Sequence, residues 1–173
     1  MSRYILPLII FFFFIMESVF VDLLGAQVFG AERIFVPRFV LILLIMIGIY
    51  YDRQHAVYEG VIFGFLFDVF YTEVLGIHMF MYGVIAYLMG YAKRMLHANL
   101  FIVLLLGILS TALLEVFNYS VYTLIGSANM SWEVFTNIRL LPTLLLNSVF
   151  TIIAFYPLRR LLEQLYKKRK EAL

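Results

Sequence analysis

Ala56-Val-Tyr-Glu-Gly60-Val-Ile-Phe-Gly64-Phe-Leu-Phe-Asp68-Val-Phe-Tyr71 is the shortest of six apolar runs that make up nearly the whole chain. The others are Tyr4–Leu24, Ile34–Tyr51, Leu75–Ala92, Leu100–Gly126 and Ile138–Leu158. Crossing a hydrocarbon core takes roughly 17–25 residues of helix, so each run is about long enough and this one slightly short. Within it, Gly60, Gly64 and Asp68 recur every four residues and share one helix face. A small-xxx-small pair lets another helix backbone approach closely, and a carboxylate sits at the top of that groove.

The surrounding composition agrees with a membrane protein. Hydrophobic residues make up 64% of the chain and charged residues 14%, and mean hydropathy is +0.98. A soluble domain usually carries near a quarter charged residues. The expected fold class is therefore all-α: a polytopic membrane protein of six transmembrane helices, in a single domain over residues 1–173 with a short basic tail from about 159. Cation placement orients it. With the N-terminus inside, Arg3, Arg53, Lys93, Arg94, Arg159, Arg160, Lys167, Lys168, Arg169 and Lys170 are cytoplasmic, against only Arg33, Arg38 and Arg139 outside. Cationic loops resist translocation, so both termini are expected in the cytoplasm. The first run is read as a membrane helix, not a cleaved leader, because it is long and contains Glu17 and Asp22. Ser127–Asn137 is read as an outer loop or interfacial segment with Trp132 at headgroup level.

Ionisable groups inside hydrocarbon are costly and normally face a bundle interior or a wet cavity. At about 1.5 Å rise per residue, Glu17, Asp68 and Glu115 fall about 18–22 Å from the cytoplasmic ends of helices one, three and five. Arg38, His78 and Arg139 lie near the outer ends of helices two, four and six. Glu17, Arg38, Asp68, His78, Glu115, Asn118, Arg139 and Asn147 are thus expected to form an outer-half polar cluster. Arg38 is the expected cation for Asp68. Gly107, Thr111, Glu115 and Asn118 stripe helix five, and Thr143, Asn147 and Thr151 stripe helix six. Pro142, a turn into helix six, removes an amide donor and frees a carbonyl.

Several function classes fall away. No cysteine is present, which excludes disulfides and thiol chemistry. There is no H-E-x-x-H, G-x-S-x-G or phosphate loop. His55, His78 and His97 are far apart, so neither a metal nor a cofactor is expected. The basic tail reads as topogenic anchoring to the lipid surface, not as a nucleic-acid site.

Gly60-x-x-x-Gly64-x-x-x-Asp68 followed by Leu75-Gly76 resembles the signature of the bacterial rod shape-determining MreD family. Phe35-Val-Pro37-Arg38-Phe-Val-Leu before an apolar second helix, Asn147 in the last helix, the length and the basic tail are similar to that family too. The resemblance implies a non-enzymatic scaffold of the cell-elongation and peptidoglycan machinery in the bacterial plasma membrane. It implies MreC as partner and, through it, MreB, RodA and a class B penicillin-binding protein. A face formed by Gly60, Gly64, Asp68 and Gly76 would be a partner-helix or packing face, and a homo-oligomer is compatible with it. The alternative is a small-molecule-binding transporter subunit, since six compact helices also resemble the S components of vitamin transporters.

Overall fold

The computed structural model describes residues 4–24, 33–95, 99–127 and 130–171. The segments holding His97, Asn129 and the Gly25-Ala26-Gln27 stretch lie outside the described residues. Six helices are described: α1 (Ile5–Leu24), α2 (Phe39–Tyr50), α3 (Arg53–Tyr71), α4 (Ile77–Met95), α5 (Leu100–Leu124) and α6 (Trp132–Glu171). There is no strand among the described residues. By length and composition, Ile5–Asp22, Leu100–Leu124 and Trp132–Glu171 are long and apolar enough to cross a membrane, while Phe39–Tyr50 and Ile77–Ala92 are shorter.

α2 is the axis of the bundle. Its sequence, Phe-Val-Leu-Ile-Leu-Leu-Ile-Met-Ile-Gly-Ile-Tyr, is apolar on every side, and all twelve residues are buried. A helix apolar all round belongs in an interior. It packs against α1, α3, α4, α5 and α6. Those outer helices bury one stripe and expose the rest. α1, for example, buries Leu6, Ile10, Phe14 and Glu17 and exposes Leu8, Phe11, Phe12 and Ile15.

The second apolar run is not a full helix, in contrast to the sequence expectation of Ile34–Tyr51. Residues 33–38 are irregular, and α2 begins only at Phe39. Pro37 disfavours helical backbone in the residue before it. The segment finds its hydrogen bonds on α6 instead. Ile34 N–H donates to the Ile138 carbonyl (2.8 Å). That is the acceptor Pro142, four residues on, leaves free. Val36 N–H donates to Thr143 Oγ1 (3.1 Å), and the Asn147 side chain donates to the Val36 carbonyl (2.9 Å) while accepting from Arg38 N–H (2.7 Å). The same part of α6 carries a π-helical turn at Phe135–Leu140. α6 also starts earlier than expected, at Trp132 within the segment read as an outer loop or interfacial segment and not at Ile138. Ser131 caps it, accepting from Val134 N–H (3.4 Å), so Trp132 is helical.

α3 and α4 form an antiparallel pair in close contact. A Cβ on Gly60 would come 3.0 Å from the Tyr82 carbonyl oxygen, and one on Gly64 2.5 Å from that of His78. Of the two occupants left open for this face, a partner helix or a helix of the same chain, α4 of the same chain lies against Gly60 and Gly64. Gly76, at φ +102°, turns the chain between them in a conformation that suits glycine.

At the opposite end, Asp52 caps α3, accepting from His55 N–H (3.2 Å), and its carboxylate meets His55 Nδ1 (2.8 Å) and Arg169 (3.6 Å). Partial burial pushes the Asp52 carboxyl up. The two His55 bonds and the Arg169 charge outweigh that and hold it below its ordinary value. The end of α6 is thereby tied to the α2–α3 turn, and Leu162 and Leu165 are buried beneath it.

Gly64→Ala should lower stability by about 1–3 kcal/mol in detergent thermal unfolding, because the methyl meets rigid backbone. Gly83→Ala, which meets only the Val61 side chain at 3.1 Å, should cost less, and equal effects would contradict the packing. Asp52→Asn keeps the cap and loses the charge, so trypsin should cut at Lys167–Lys170 faster than in the parent. Because the folded carboxyl is lowered, the tie is present above the ordinary carboxylate range. It is lost as pH falls through the lowered value.

Candidate functional site

The cluster is built at the point where α2 begins. Arg38 stands immediately before α2 and is 2% exposed. Its Nε and Nη2 both donate to Glu115 Oε1 on α5 (2.9 and 2.7 Å). Glu115, fully buried, takes a second guanidinium at its other oxygen: Arg139 Nε on α6 lies 2.9 Å from Oε2. The expected Arg38–Asp68 pair is replaced by this Arg38–Glu115–Arg139 triad. Arg38 also lies over the Phe67 ring, 5.2 Å from its centroid.

Asp68 has other work. Its carboxylate sits over the start of α4 and accepts from Gly76 N–H (2.9 Å), His78 N–H (3.0 Å) and Met79 N–H (3.0 Å). A helix start offers unpaired amides and a positive dipole end, so a carboxylate there is satisfied without a partner cation. Gly64 allows this reach, because one turn below Asp68 it lets the two backbones touch. The Thr72 hydroxyl donates to the Asp68 carbonyl (2.9 Å) and closes the end of α3.

His78 joins the two halves. Its Nδ1 lies 2.8 Å from Asp68 Oδ1, and its Nε2 lies 3.1 Å from Arg38 Nη1. Guanidinium has only N–H to offer, so Nε2 is the accepting nitrogen and Nδ1 carries the proton. Asn118 Nδ2, 3.4 Å from Nε2, is a weaker donor on the same side. An Asp–His pair can orient a general base, and here the accepting nitrogen meets the N–H groups of Arg38 and Asn118.

Glu17 repeats the Asp68 device. Reaching from α1, its Oε1 accepts from Val40 N–H at the start of α2 (2.8 Å). Its Oε2 has no hydrogen-bond partner, and neither does Asn118 Oδ1. Both residues line a cavity of about 480 Å³ beside Arg38, which reaches exposed Asp22 and Met130.

The structure thus brings Glu17, Arg38, Asp68, His78, Glu115, Asn118, Arg139 and Asn147 into one connected region, with Arg139 a third exposed and the others buried. Gly76 belongs to it through its amide. Gly60 and Gly64 lie further down the α3–α4 contact. Sequence reasoning missed Phe67, which stacks on His78 at 4.4 Å, and Thr72. One was a phenylalanine among many and the other a turn residue, and neither stood out. It also missed the irregular 33–38 segment as a wall of the site. No group of three or more His, Asp or Glu is arranged to hold a metal among the described residues.

Comparison with known proteins agrees across the length of the chain. A family model described as rod shape-determining protein MreD matches residues 2–165. A relative from Bacillus subtilis (strain 168), described as Rod shape-determining protein MreD, is 34% identical over 171 residues, covering 99% of each chain. No solved structure matches.

Glu115→Leu should be among the most destabilising single changes, at about 3–5 kcal/mol, since it strands buried Arg38. Arg139→Leu should cost much less. In double-mutant cycles on detergent stability, Asp68→Leu should couple strongly to His78→Leu, and additive effects there would refute the contact.

Proposed function

The chain belongs to the MreD family of rod shape-determining proteins, and from that premise we propose that it is a non-enzymatic scaffold of the cell-elongation machinery, spanning the bacterial plasma membrane six times with both termini in the cytoplasm. Family membership carries this reading and supports a role in rod shape determination. Two physical observations add to it. The cation bias puts the Arg38 end of the bundle outside and the Asp52 end with the basic tail inside. The short α2 also becomes compatible with a crossing. Twelve residues of helix rise about 18 Å. The extended approach adds up to ~3.3 Å per residue. Non-helical backbone is tolerated at membrane depth where protein surrounds it. The whole chain acts as a single membrane domain, with the end of α6 as its cytoplasmic tail.

The proposed direct partner is MreC, and through it MreB, RodA and a class B penicillin-binding protein. α4 fills the face of Gly60 and Gly64, so the contact with MreC uses other surfaces, and Gly60, Gly64, Asp68 and Gly76 act by holding the bundle's shape. The polar cluster has the same role: most of its donors and acceptors are spent on one another. A second reading, a small-molecule-binding transporter subunit, has the cavity beside Arg38 in its favour.

In Bacillus subtilis depleted of its own MreD, this chain should restore rods and co-purify with MreC. Rods restored with no MreC recovered would remove MreC as the direct partner. Round cells despite normal membrane insertion would count against the scaffold reading. Reporter fusions after Arg94 and Lys170 should report cytoplasm, and one between Ser127 and Met130 the exterior. A cytoplasmic signal from the last would break the six-span topology.

A further inference from the structure

We propose that Arg53, at the start of α3, is a seat for the phosphate of an anionic phospholipid whose chains lie along the exposed apolar side of α3 and α4. The starting observation is an arginine held in place with its donors unspent. The partly exposed Arg53 guanidinium lies over two tyrosine rings of α4, 5.0 Å from the Tyr87 centroid and 4.8 Å from that of Tyr91. The two rings meet edge to face at 5.2 Å, and their hydroxyls share a hydrogen bond of 3.1 Å. Gly90, on the same stretch of α4, makes room for the arginine stem. A Cβ there would come 2.6 Å from Arg53 Cβ and would overlap its Cγ and Cδ. Ring faces attract the positive charge but leave the five N–H donors available. Among the described residues the arginine ion pairs are those of Arg38, Arg139, Arg159 and Arg169, and no carboxylate meets Arg53.

Charge at this end of the bundle favours an anion. The segments that the proposed topology places inside hold ten cations, Arg53 among them, against Asp52, Glu59, Glu163 and Glu171. The carboxylates nearest in sequence are committed elsewhere. Asp52 accepts from His55 and pairs with Arg169, and Glu59 lies within electrostatic reach of the same His55. A guanidinium presents a planar fork that matches phosphate oxygens, and stacking on aromatic rings fixes its direction beforehand.

The surroundings favour a lipid as the source of the phosphate. Exposed apolar side chains flank the seat: Phe80 and Leu88 on α4, and Val61, Ile62 and Phe65 on α3. Tyrosine is favoured where hydrocarbon meets headgroups, and Tyr87 and Tyr91 suit that boundary. One amphiphile can then set its phosphate on Arg53 and its chains on this face. Assigning the site to the inner leaflet rests on the proposed topology, whereas the binding does not. Reporter fusions that reversed the topology would move the site to the other leaflet without removing it. The same phosphate chemistry is available from a free phosphate ion.

The test uses the full-length purified chain in detergent micelles, so it depends on neither MreC nor orientation. A phosphatidylglycerol with a photoreactive group in its acyl chain is cross-linked to the chain and mapped by peptide mass spectrometry. Unlabelled phosphatidylglycerol, phosphatidylcholine of the same acyl chains and inorganic phosphate serve as competitors. The expected result is labelling on α3 and α4 that phosphatidylglycerol displaces about fivefold more effectively than phosphatidylcholine. Arg53→Gln should reduce this labelling several-fold. Gly90→Ala keeps every charge but unseats the Arg53 stem, and should reduce it too. If Gly90→Ala does not fold, Tyr87→Leu, at a ring 46% exposed, removes one side of the seat instead. Lys168→Gln takes the same charge from the tail and should leave the α3–α4 labelling unchanged. Displacement by inorganic phosphate as effective as by lipid overturns the lipid assignment and gives the seat to a free phosphate. Equal competition by both lipids, unchanged labelling in Arg53→Gln, or equal losses in Arg53→Gln and Lys168→Gln overturns the proposal.

Discussion

A helix that begins in an apolar protein interior must find acceptors for its first amides, because its surroundings supply none. α2 begins in this way, and much of the cluster is the answer to that demand. Glu17 comes from α1 to take Val40 N–H, and Asn147 comes from α6 to take Arg38 N–H. The approach segment is held by Thr143 and by the carbonyl that Pro142 leaves open at Ile138. One helix start in the interior thus recruits side chains from two other helices. Arg38 is carried to the same depth as a consequence, and a buried guanidinium then requires Glu115.

The start of α4 poses the same demand and receives the same kind of answer. Asp68 reaches it only because Gly64, one turn below, has no side chain to hold the two backbones apart. The glycine spacing and the carboxylate are therefore one device: close approach, then capping. His78 links this cap to the Arg38–Glu115–Arg139 triad, so the two helix starts are not independent. A disturbance at either is felt as an unpaired charge at the other, where low dielectric makes it expensive.

The sequence pattern made the existence of this cluster legible. A carboxylate twelve or more residues into an apolar run has nowhere else to go. The pairing was not legible. Whether Arg38 meets Asp68 or Glu115 depends on how far each helix is rotated about its axis, and hydropathy carries little of that. The boundaries of α2 failed for a related reason. Ile34, Phe35 and Val36 are as apolar as any helix residue, and their irregular conformation is decided by hydrogen-bond partners more than a hundred residues away on α6. Likewise, the glycine face announced a close helix contact, but spacing alone says nothing about whether the other helix is in the same chain. The early start of α6 was obscured because Trp132 and Glu133 read as loop, although Ser131 and Glu133 are also residues that favour a helix beginning.

These internal demands bear on how such a bundle meets its partners. When polar groups are tied to one another, the outer helix faces are left apolar, as on α1 and α5, where Phe11, Phe12, Leu105 and Leu109 are exposed. Recognition on those faces then depends on shape and van der Waals fit, since lipid tails are as apolar as the side chains they touch. Fit of that kind needs a surface that does not shift, and buried ion pairs and cross-helix caps are what fix it. On the proposed scaffold reading, the ionic cluster serves the outside of the molecule by immobilising the inside. Among the described residues that economy is incomplete at four buried atoms, the Glu17 Oε2, Tyr82 hydroxyl, Thr111 hydroxyl and Asn118 Oδ1, none of which has a hydrogen-bond partner.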